Sequence, residues 1–416
     1  MIYSLLLTIF IVAPCGGSDS LNCRLVSHFK TEMDAGDVFI KGEFAYVTEI
    51  YSGMLRIIDI SDPTLLVEVG HLNTGSFNYD ISVVNNVVYI ADGKKGGLRI
   101  IDVSNPTEPS EICFYELEGV RAFSVWVIDT IAYVVCGGPH WGLHIINVSD
   151  PKAPSRVGYM EGISGRLHVE DNILYVGNFS DMKIIKISDL TVPEVIGSYL
   201  TDGYEYYVYP QDTLAYLCAG KCGLQILKIS DLIFPVCIGQ CMTKHCALDV
   251  DVKEDVAFVA DAKGGIRVIN CTNPYEPIEV GYYTGFYALD ICVRDTLAFA
   301  AGDSGLLVIQ YTGNLSDYKF FSISKHLEKE FSIGDLALLD IRQLCLLRNG
   351  IFATYGFEFD DPELIKYFKT NIDRFCRNGI SGRITDSFCD SLLTEIDWKN
   401  IKLIMSLENE LKGKNK

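Results

Sequence analysis

Residues 87–119 read VVYIADGKKGGLRIIDVSNPTEPSEICFYELEG, and the fold of the chain depends on the pattern in this stretch. An apolar-aromatic-apolar triplet is followed by a glycine turn, an LRIID strand and a Ser-Asn-Pro turn. The pattern returns along most of the chain, and its aromatic residue falls at Tyr46, Tyr89, Tyr133, Tyr175, Tyr216, Phe258 and Phe299. A repeat of about 42 residues that holds several short strands predicts a propeller or a solenoid of β-type blades.

The second unit shows how four strands fit into one repeat. Residues 80–84 alternate and are predicted to form the inner strand, followed by strands at 86–91, 98–104 and 111–115. Large apolar residues occupy both faces of the third strand, as expected of a blade that packs between two neighbours. The Asn105-Pro106 turn precedes the outer strand. Proline has no backbone N–H, and in a turn no neighbouring strand requires that donor.

The two ends of the repeat region predict a closed ring of seven blades. The seventh unit ends near Tyr311 after three strands, whereas Cys-Arg-Leu-Val-Ser-His-Phe at 23–29 precedes the first unit and reads like the missing fourth strand. We predict an all-β seven-bladed β-propeller with four-stranded antiparallel blades, closed by residues 25–29 and followed by a small α-helical domain. The predicted boundaries are 1–19 for a signal peptide, 20–316 for the propeller and 317–416 for the helical domain.

The stretch LRIIDISDP at 55–63 and its copies resemble the LVIVD repeat of bacterial, mostly exported, β-propeller proteins. The resemblance covers residues 25–312. Three units depart from it, because Lys186, Lys228 and Gln310 stand where the repeat usually has Asp. The resemblance implies a surface or envelope location and no established catalysis.

After Tyr311 the repeat stops and the pattern becomes helical. Apolar residues share helix faces around 344–351 and 364–368, and a last helix is predicted through Ile404, Leu407 and Leu411. Residues 336–376 resemble the YARHG domain, a small extracellular bacterial module. The sequence departs from the motif at its centre, because Phe352, Thr354 and Tyr355 replace its Tyr, Arg and His. No chemistry of that Arg or His is therefore expected.

The N-terminus predicts export. Residues 2–13 form a largely apolar run, which is too short to span a bilayer and fits the apolar region of a secretory signal. Small residues around Cys15 and Gly17 suit cleavage, and the stretch before Cys15 also resembles a lipoprotein box. Lipidation at Cys15 is thus an alternative to simple cleavage. The sequence contains no other segment of transmembrane length. We therefore expect no transmembrane span, and a lipid at Cys15 would be the means of attachment to a membrane.

Charge and cysteine content exclude several classes of partner. The net charge is −19, of which residues 1–316 carry −18, so neither a nucleic acid nor an anionic membrane surface is expected as a partner. None of the fourteen cysteines forms a CxxC pair, which argues against zinc-ribbon and thioredoxin-like chemistry. A local disulfide is conceivable in a cluster of five, but buried apolar packing is the favoured interpretation; the five are Cys218, Cys222, Cys237, Cys241 and Cys246.

Motifs for catalysis, metal binding and cofactor binding are missing from the sequence. It has no Gly-x-Ser-x-Gly elbow and no phosphate-binding glycine loop, so we expect no catalytic residue and no cofactor. His140 and His144 are four apart, but along a strand they would lie about 13 Å apart and could not share a metal. Asp59 and Asp102 recur with the fold, and we expect them to bond to turn amides.

The segments that lead into the inner strands differ from blade to blade and form the candidate ligand-binding surface. Rigid aromatic rings with arginine and histidine nearby make a recognition patch, although half of these residues could instead pack between blades. The candidates are Tyr79, Arg121, Phe123, Arg166, Tyr206, His245, Phe286 and Tyr287.

Three hypotheses for function follow from these features. The first is an exported, non-enzymatic binding or scaffold protein of the cell envelope that recognises a protein or a glycan through the propeller face. The alternative is a hydrolase or lyase at the channel mouth, which needs paired acids or histidines a few ångströms apart with shifted pKa values. A third, purely structural role in a surface assembly predicts no small-molecule pocket.

Overall fold

The computed structural model describes residues 20–313, except 118–119, 139–140, 179–180, 202 and 204–205, together with residues 395–414. The chain divides into two units, Met1–Thr312 and Gly313–Lys416, which are described separately. In the first unit, the described strands form seven antiparallel sheets, one for each sequence repeat. The all-β seven-bladed architecture predicted from the repeat is therefore confirmed.

The strands follow the chain from the inside to the outside of each blade. The two strands ahead of the first repeat are β1 (Ser20–Leu21) and β2 (Cys23–Phe29). Blades 1 to 3 contain β3 (Ala35–Lys41), β4 (Phe44–Glu49), β5 (Met54–Asp59), β6 (Val67–Asn73), β7 (Asn78–Val84), β8 (Val87–Asp92), β9 (Gly97–Asp102), β10 (Ser110–Glu116), β11 (Arg121–Ile128), β12 (Ile131–Gly137), β13 (Gly142–Asn147) and β14 (Ser155–Glu161). Blades 4 and 5 contain β15 (Arg166–Glu170), β16 (Ile173–Asn178), β17 (Asp181–Lys186), β18 (Glu194–Leu200), β19 (Tyr207–Gln211), β20 (Leu214–Cys218), β21 (Leu224–Lys228) and β22 (Val236–Cys241). Blades 6 and 7 contain β23 (Asp249–Lys253), β24 (Val256–Ala260), β25 (Ile266–Asn270), β26 (Ile278–Tyr283), β27 (Ala288–Arg294), β28 (Leu297–Gly302) and β29 (Gly305–Tyr311).

The N-terminal strand closes the ring. β2 pairs antiparallel with β29, with Cys23 opposite Tyr311 and Phe29 opposite Leu306, and completes blade 7 in the order β2-β29-β28-β27. This confirms the predicted closure. The short β1 adds a fifth strand to blade 6 through Ser20 opposite Tyr283, a pairing that the sequence did not indicate. The N-terminal segment therefore joins blades 6 and 7 as well as ending the ring.

The core lies between the blades and not within one sheet. Tyr46, Leu55 and Ile57 of blade 1 form one buried cluster with Ile81 and Ile90 of blade 2, and comparable clusters join further blades. Because each sheet is covered on both faces, its central strands carry apolar residues on both sides. The repeated aromatic residue of each unit belongs to this core, since all seven are buried.

A glycine in the outer strand allows neighbouring blades to approach. A Cβ atom added at Gly70 would collide with the backbone carbonyl of Pro106 in the next blade, and one at Gly158 would collide with that of Leu190. The Val-Gly pair that recurs in the outer strands is thus required by backbone packing between blades.

The repeated aspartates bond as expected from the sequence. Asp59 Oδ1 accepts the Ser61 N–H at 2.9 Å, and Asp102 Oδ1 accepts the Ser104 N–H at 2.8 Å. These backbone hydrogen bonds lower the pKa of both carboxyls below the ordinary value. Both aspartates therefore shape the turn that follows the third strand, and their predicted structural role is confirmed.

All ten cysteines in the described part of the chain are free thiols. Cys136, Cys218 and Cys271 pack into the apolar clusters, and burial raises the pKa of Cys136 to about 12. The favoured interpretation, small buried apolar residues, is confirmed for these three. The disulfide considered for the fifth and sixth units is not formed.

The described part of the second unit is a single helix, α1 (Glu395–Lys414), in which Ile401 and Ile404 are buried. It confirms the predicted last helix. The predicted helices at 344–351 and 364–368 lie outside the described residues, so the small helical domain stays a prediction. The signal segment 1–19 with Cys15 also lies outside them. The described residues include no helix that combines the length and apolar character needed to cross a bilayer.

Candidate functional site

The inner strands bring seven equivalent positions together around the central channel. We call this set the upper tier; its members, from blade 1 to blade 7, are Asp37, Asp80, Ser124, Arg166, Tyr207, Asp249 and Asp290. The Arg166 guanidinium, on blade 4, faces the four aspartates. Its Nη2 lies 2.8 Å from Asp290 Oδ1, and its Nη1 lies 3.3 Å from Asp249 Oδ1. Asp37 and Asp80 lie farther away, at 3.6 and 3.9 Å from Nη2.

The same carboxylates also connect each blade to the next. Asp37 Oδ2 accepts the Ile81 N–H of blade 2 at 3.1 Å, and Asp80 Oδ2 accepts the Val125 N–H of blade 3 at 2.9 Å. Asp249 and Asp290 repeat the arrangement at the junctions of blades 6 and 7 and of blades 7 and 1. In Asp80, Asp249 and Asp290 the other oxygen, Oδ1, is the one nearest Arg166, whereas in Asp37 the same Oδ2 is nearest both Arg166 and the Ile81 N–H. The tier therefore closes the ring and holds a buried charge cluster at the same time.

Burial and mutual repulsion give these carboxyls different pKa values. Burial, followed by the charges of Asp290 and Asp80, raises the pKa of Asp37 well above its ordinary value. Burial and Asp290 do the same for Asp249. For Asp290, the effect of burial is outweighed by Arg166 and by hydrogen bonds, so its pKa lies below the ordinary value. Burial among like charges and contact with one arginine thus shift the pKa values of neighbouring carboxyls in opposite directions.

The second tier along the channel is aromatic on four of the seven blades. Two residues farther along the inner strands lie Phe39, Trp126, His168 and Tyr209, and with the upper tier except Ser124 they line a cavity of about 140 Å³. His168 stacks on Trp126 with ring centres 4.2 Å apart, and its Nδ1 lies 2.9 Å from the Tyr207 hydroxyl. Burial lowers the pKa of His168 to about 3. The histidine is therefore neutral in this channel across the physiological pH range.

A string of aromatic rings lies on the face where the inner strands begin, which we call the upper face. Tyr51 and Phe77 meet edge to face at 5.9 Å, Phe77 meets Tyr79 at 6.5 Å, and Tyr79 meets Phe123 at 5.3 Å. We call these four rings, from blades 1 to 3, the aromatic rim. Tyr51 is 58% exposed and Phe123 is 37% exposed. Lys94 lies over the Phe77 ring at 5.7 Å, which adds a cation to the rim.

Comparison with known families agrees with this geometry. The LVIVD repeat model matches residues 33–74, 78–116, 161–201 and 246–285, which correspond to blades 1, 2, 4 and 6, and the YARHG domain model matches residues 321–409. The chain carries LVIVD repeats and a YARHG domain. The YARHG match is wider than the 336–376 expected from the motif.

The LVIVD propeller also resembles a solved structure. The computationally designed Ika8 protein aligns with a TM-score of 0.52 and 11% identity, over 69% of this chain and 99% of that one. At this identity the likeness concerns the fold alone. No curated protein matches the sequence.

The eight candidate residues of the LVIVD propeller do not form one patch. Tyr79 and Phe123 meet in the aromatic rim, and Arg121 is exposed at the start of the same inner strand as Phe123. Arg166 lines the channel cavity, and none of the other seven candidates does. On blades 5 to 7, Tyr206 is 37% exposed and His245 borders a separate cleft of blade 6. Nearby, Tyr287 is half-buried with its N–H bonded to Asp303, and Phe286 is buried against Tyr283.

Other members of the channel were missed at the sequence level, although a signal was present. Asp37, Asp80, Asp249 and Asp290 recur at one position of the repeat, just ahead of the apolar residues of the inner strand. A charged residue repeated at a buried position indicates a shared partner. His144 is buried in β13 with its ring centre 5.0 Å from that of Tyr159, and His140 lies outside the described residues, so the expectation that the two share no metal stays a prediction. The described residues contain no group of three or more His, Cys, Asp or Glu side chains placed to hold a metal ion.

Proposed function

We propose that this protein is an exported, non-enzymatic binding or scaffold protein of the cell envelope that recognises its partner through the upper face of the propeller. The observation that carries the proposal is the aromatic rim. Tyr51, Phe77, Tyr79 and Phe123 come from three blades and form one contiguous, partly exposed string. Rings held by a rigid β-scaffold are pre-ordered for binding, because little side-chain freedom is lost on contact.

The chemistry of the rim favours a protein partner, with an envelope glycan as the other candidate. Tyrosine and arginine dominate the energetics of protein interfaces, and Arg121 lies two residues before Phe123 on the exposed start of β11. The acidic propeller, with −18 of the net charge of −19 in residues 1–316, favours a partner surface that is not acidic.

The proposed location follows from the sequence and the domain match. The apolar run at 2–13 and the YARHG match at 321–409 support export. In this proposal residues 1–19 direct export, with Cys15 as a site of lipidation or a residue removed with the signal. Residues 20–316 form the binding propeller, and 317–416 form the YARHG domain.

The rim is tested by a pull-down from envelope extract with the full chain and two variants. The double variant Tyr51→Ala/Phe123→Ala removes the exposed ends of the rim, and Tyr275→Ala is the matched control, since Tyr275 is 62% exposed on the turn before an outer strand. We expect partners of the native protein to be retained by the control and lost with the double variant. Identification of the lost species as protein or polysaccharide separates the two partner classes. Retention of every partner by the double variant would exclude the rim as the recognition site.

A second candidate function is a hydrolase or lyase with its site at the channel mouth. The cluster that this alternative requires is present, because Asp37 and Asp249 have raised pKa values beside Asp290, whose pKa is lowered. Asp249 Oδ1 is buried without a hydrogen bond and faces Arg166 at 3.3 Å. However, each of the four aspartates bonds to a backbone amide of the next blade, so ring closure already accounts for their presence.

The enzymatic alternative is tested by incubating the native protein and an Asp249→Asn variant with envelope polysaccharides and measuring the release of new chain ends. Release by the native protein that falls at least about a hundredfold in the variant would establish an acid–base role. Equal, background release by both proteins supports the binding function. Ring closure is checked in parallel by circular dichroism of the variant.

A further inference from the structure

Blade 6 contains a cleft of about 480 Å³ on the upper face. Two neighbouring connections border it: one leads into the inner strand of blade 6 and the other into that of blade 7. The glycine turn between the second and third strands of blade 6 lies beside them. The side chains that decide its chemistry are Lys244, His245, Lys263, Arg267, Glu279 and Tyr282. A volume of this size matches a small organic ligand.

The buried arginine of the cleft is only partly bonded. Arg267 is 4% exposed, its Nε donates to Asp261 Oδ2 at 3.2 Å, and its Nη1 lies 3.6 Å from Glu279 Oε1, beyond hydrogen-bond distance. Its Nη2 has no hydrogen-bond partner among the described residues. A guanidinium has five N–H donors, and a buried one with most of them unsatisfied is costly unless another acceptor is bound. Nη1, whose one close acidic neighbour among the described residues is Glu279 at 3.6 Å, is therefore available to an anionic group of a ligand.

Two lysines add positive charge at the edge of the blade 6 cleft. Lys244 and Lys263 are exposed, and within the described residues neither forms an ion pair. In a propeller that is acidic as a whole, two free lysines and an arginine at one cleft create a local positive potential that attracts an anion. The Tyr282 ring, with the Arg267 guanidinium 5.2 Å from its centre, forms an apolar wall beside the charges.

Glu279 places an acceptor beside the cationic side. It lines the same cleft, so a ligand whose anionic group meets Arg267 would bring its neighbouring atoms to Glu279. A bare inorganic anion would be repelled by this carboxylate, whereas a hydroxyl or ammonium group would donate to it. The cleft thus selects a ligand with both an anionic group and a nearby donor.

We propose that this blade 6 cleft binds a small organic carboxylate that carries a hydroxyl or amino group close to the carboxylate. Arg267, Lys244 and Lys263 bind the carboxylate, Glu279 accepts the donor, and Tyr282 contacts the carbon skeleton. The site goes beyond the proposed function, because it uses a different blade and none of the residues of the aromatic rim. Sugar acids and amino acids share the required chemistry.

The test is calorimetric titration of the full chain with D-galacturonate, L-glutamate, glutarate and inorganic phosphate. Glutarate differs from glutamate by lacking the amino group, so the pair isolates the donor. We expect galacturonate or glutamate to bind at least about tenfold more tightly than glutarate and phosphate. The tighter of the two identifies the sugar-acid or the amino-acid source. Equal binding of all four probes, or no binding at millimolar concentration, would overturn the proposal.

Variants locate the binding within the cleft. Lys244→Gln/Lys263→Gln should weaken binding about tenfold or more, whereas Lys221→Gln should leave it unchanged. Lys221 is the matched control, since it is exposed at the equivalent turn of blade 5, 42 positions before Lys263. Glu279→Gln should reduce the preference for glutamate over glutarate. Binding that survives the lysine double variant would place the ligand elsewhere. The rim variant Tyr51→Ala/Phe123→Ala should titrate like the native protein, so failure of one proposal is distinguishable from failure of the other.

Discussion

Blades 1 and 6 carry the same acid–arginine–acid network at equivalent positions of the repeat, but they complete it differently. In blade 1, Arg56 Nε lies 2.5 Å from Glu49 and Nη1 lies 2.7 Å from Glu68. In blade 6, the corresponding distances from Arg267 to its two acids are 3.2 and 3.6 Å. Blade 2 resembles blade 1, since Arg99 contacts Asp92 at 2.7 Å and bonds to Glu111, although its Nη2 likewise has no partner.

The turn between the second and third strands explains the difference. The first acid precedes the arginine by seven residues in blade 1 and by six in blade 6, and Asp261 is one methylene shorter than Glu49. Blade 2 also has an aspartate but keeps the seven-residue spacing and a 2.7 Å contact, so it is the shorter turn that holds Arg267 less closely, and the cleft opens beside it. A repeat position that stabilises one blade can therefore become a binding position in another.

The inner strands of the two blades differ as well. At the second tier of the channel, blade 1 has Phe39 where blade 6 has Asp251, whose Oδ2 accepts the Val293 N–H of blade 7 at 2.7 Å. Blade 6 thus carries charge on both its channel side and its cleft side. Three predictions test how far the two blades differ.

The largest effect is expected from Arg56→Met. Glu49 has a fully buried side chain, so the variant leaves an unpaired buried carboxylate and should lose about 3–5 kcal/mol of unfolding free energy. Urea denaturation followed by circular dichroism measures the loss. Arg24→Met, which removes an exposed arginine bonded to Gln310, is the control and should change stability by less than about 0.5 kcal/mol. A loss of less than about 1 kcal/mol for Arg56→Met would mean that the blade 1 network adds little.

Asp251→Asn should change the pH dependence of stability. Burial raises the pKa of Asp251 to about 6, above its ordinary value of 3.8. The folded protein therefore holds this proton more tightly than the unfolded chain, so the contribution is complete below about pH 4 and is lost as the pH rises through 6. Relative to the native protein, the variant should gain at most about 3 kcal/mol between pH 4 and 7.

Denaturation of both proteins at several pH values checks this expectation. Parallel stability curves for the native protein and Asp251→Asn would contradict it. Phe39 holds the same tier position in blade 1 without a titratable group, so the effect is specific to blade 6.

The smallest effects are expected from the second acid of each network, Glu68 in blade 1 and Glu279 in blade 6. The difference between the two blades is more informative than the size of either loss. Glu68→Gln should cost about 1 kcal/mol, because it weakens a charged hydrogen bond at 2.7 Å. Glu279→Gln should cost less than about 0.5 kcal/mol, since no hydrogen bond joins Glu279 to Arg267 at 3.6 Å. Equal losses in the two blades, measured by urea denaturation, would show that the networks are energetically alike.

Local patterns in the sequence predicted the fold better than the sites. The alternation at 80–84 and the turn at Asn105-Pro106 indicated the strands of blade 2 to within two residues, because strand and turn preferences act over a few neighbours. Of the eight candidate residues, Tyr79 and Phe123 meet, whereas Phe286 proved to be buried against Tyr283. Burial depends on which blade packs alongside, and a single repeat does not contain that information.

The sequence by itself determined the seven blades, their order and their closure by 25–29, because the period and the displaced outer strand are readable along the chain. Only the tertiary structure decided that Arg166 meets Asp290, 124 positions away, together with aspartates of three other blades. It also decided that the Arg267 network is loose enough to leave a cleft. The physical reason is ring closure, which brings side chains from distant repeats to one axis. Contacts there differ from blade to blade by a few tenths of an ångström, and no local pattern encodes such differences.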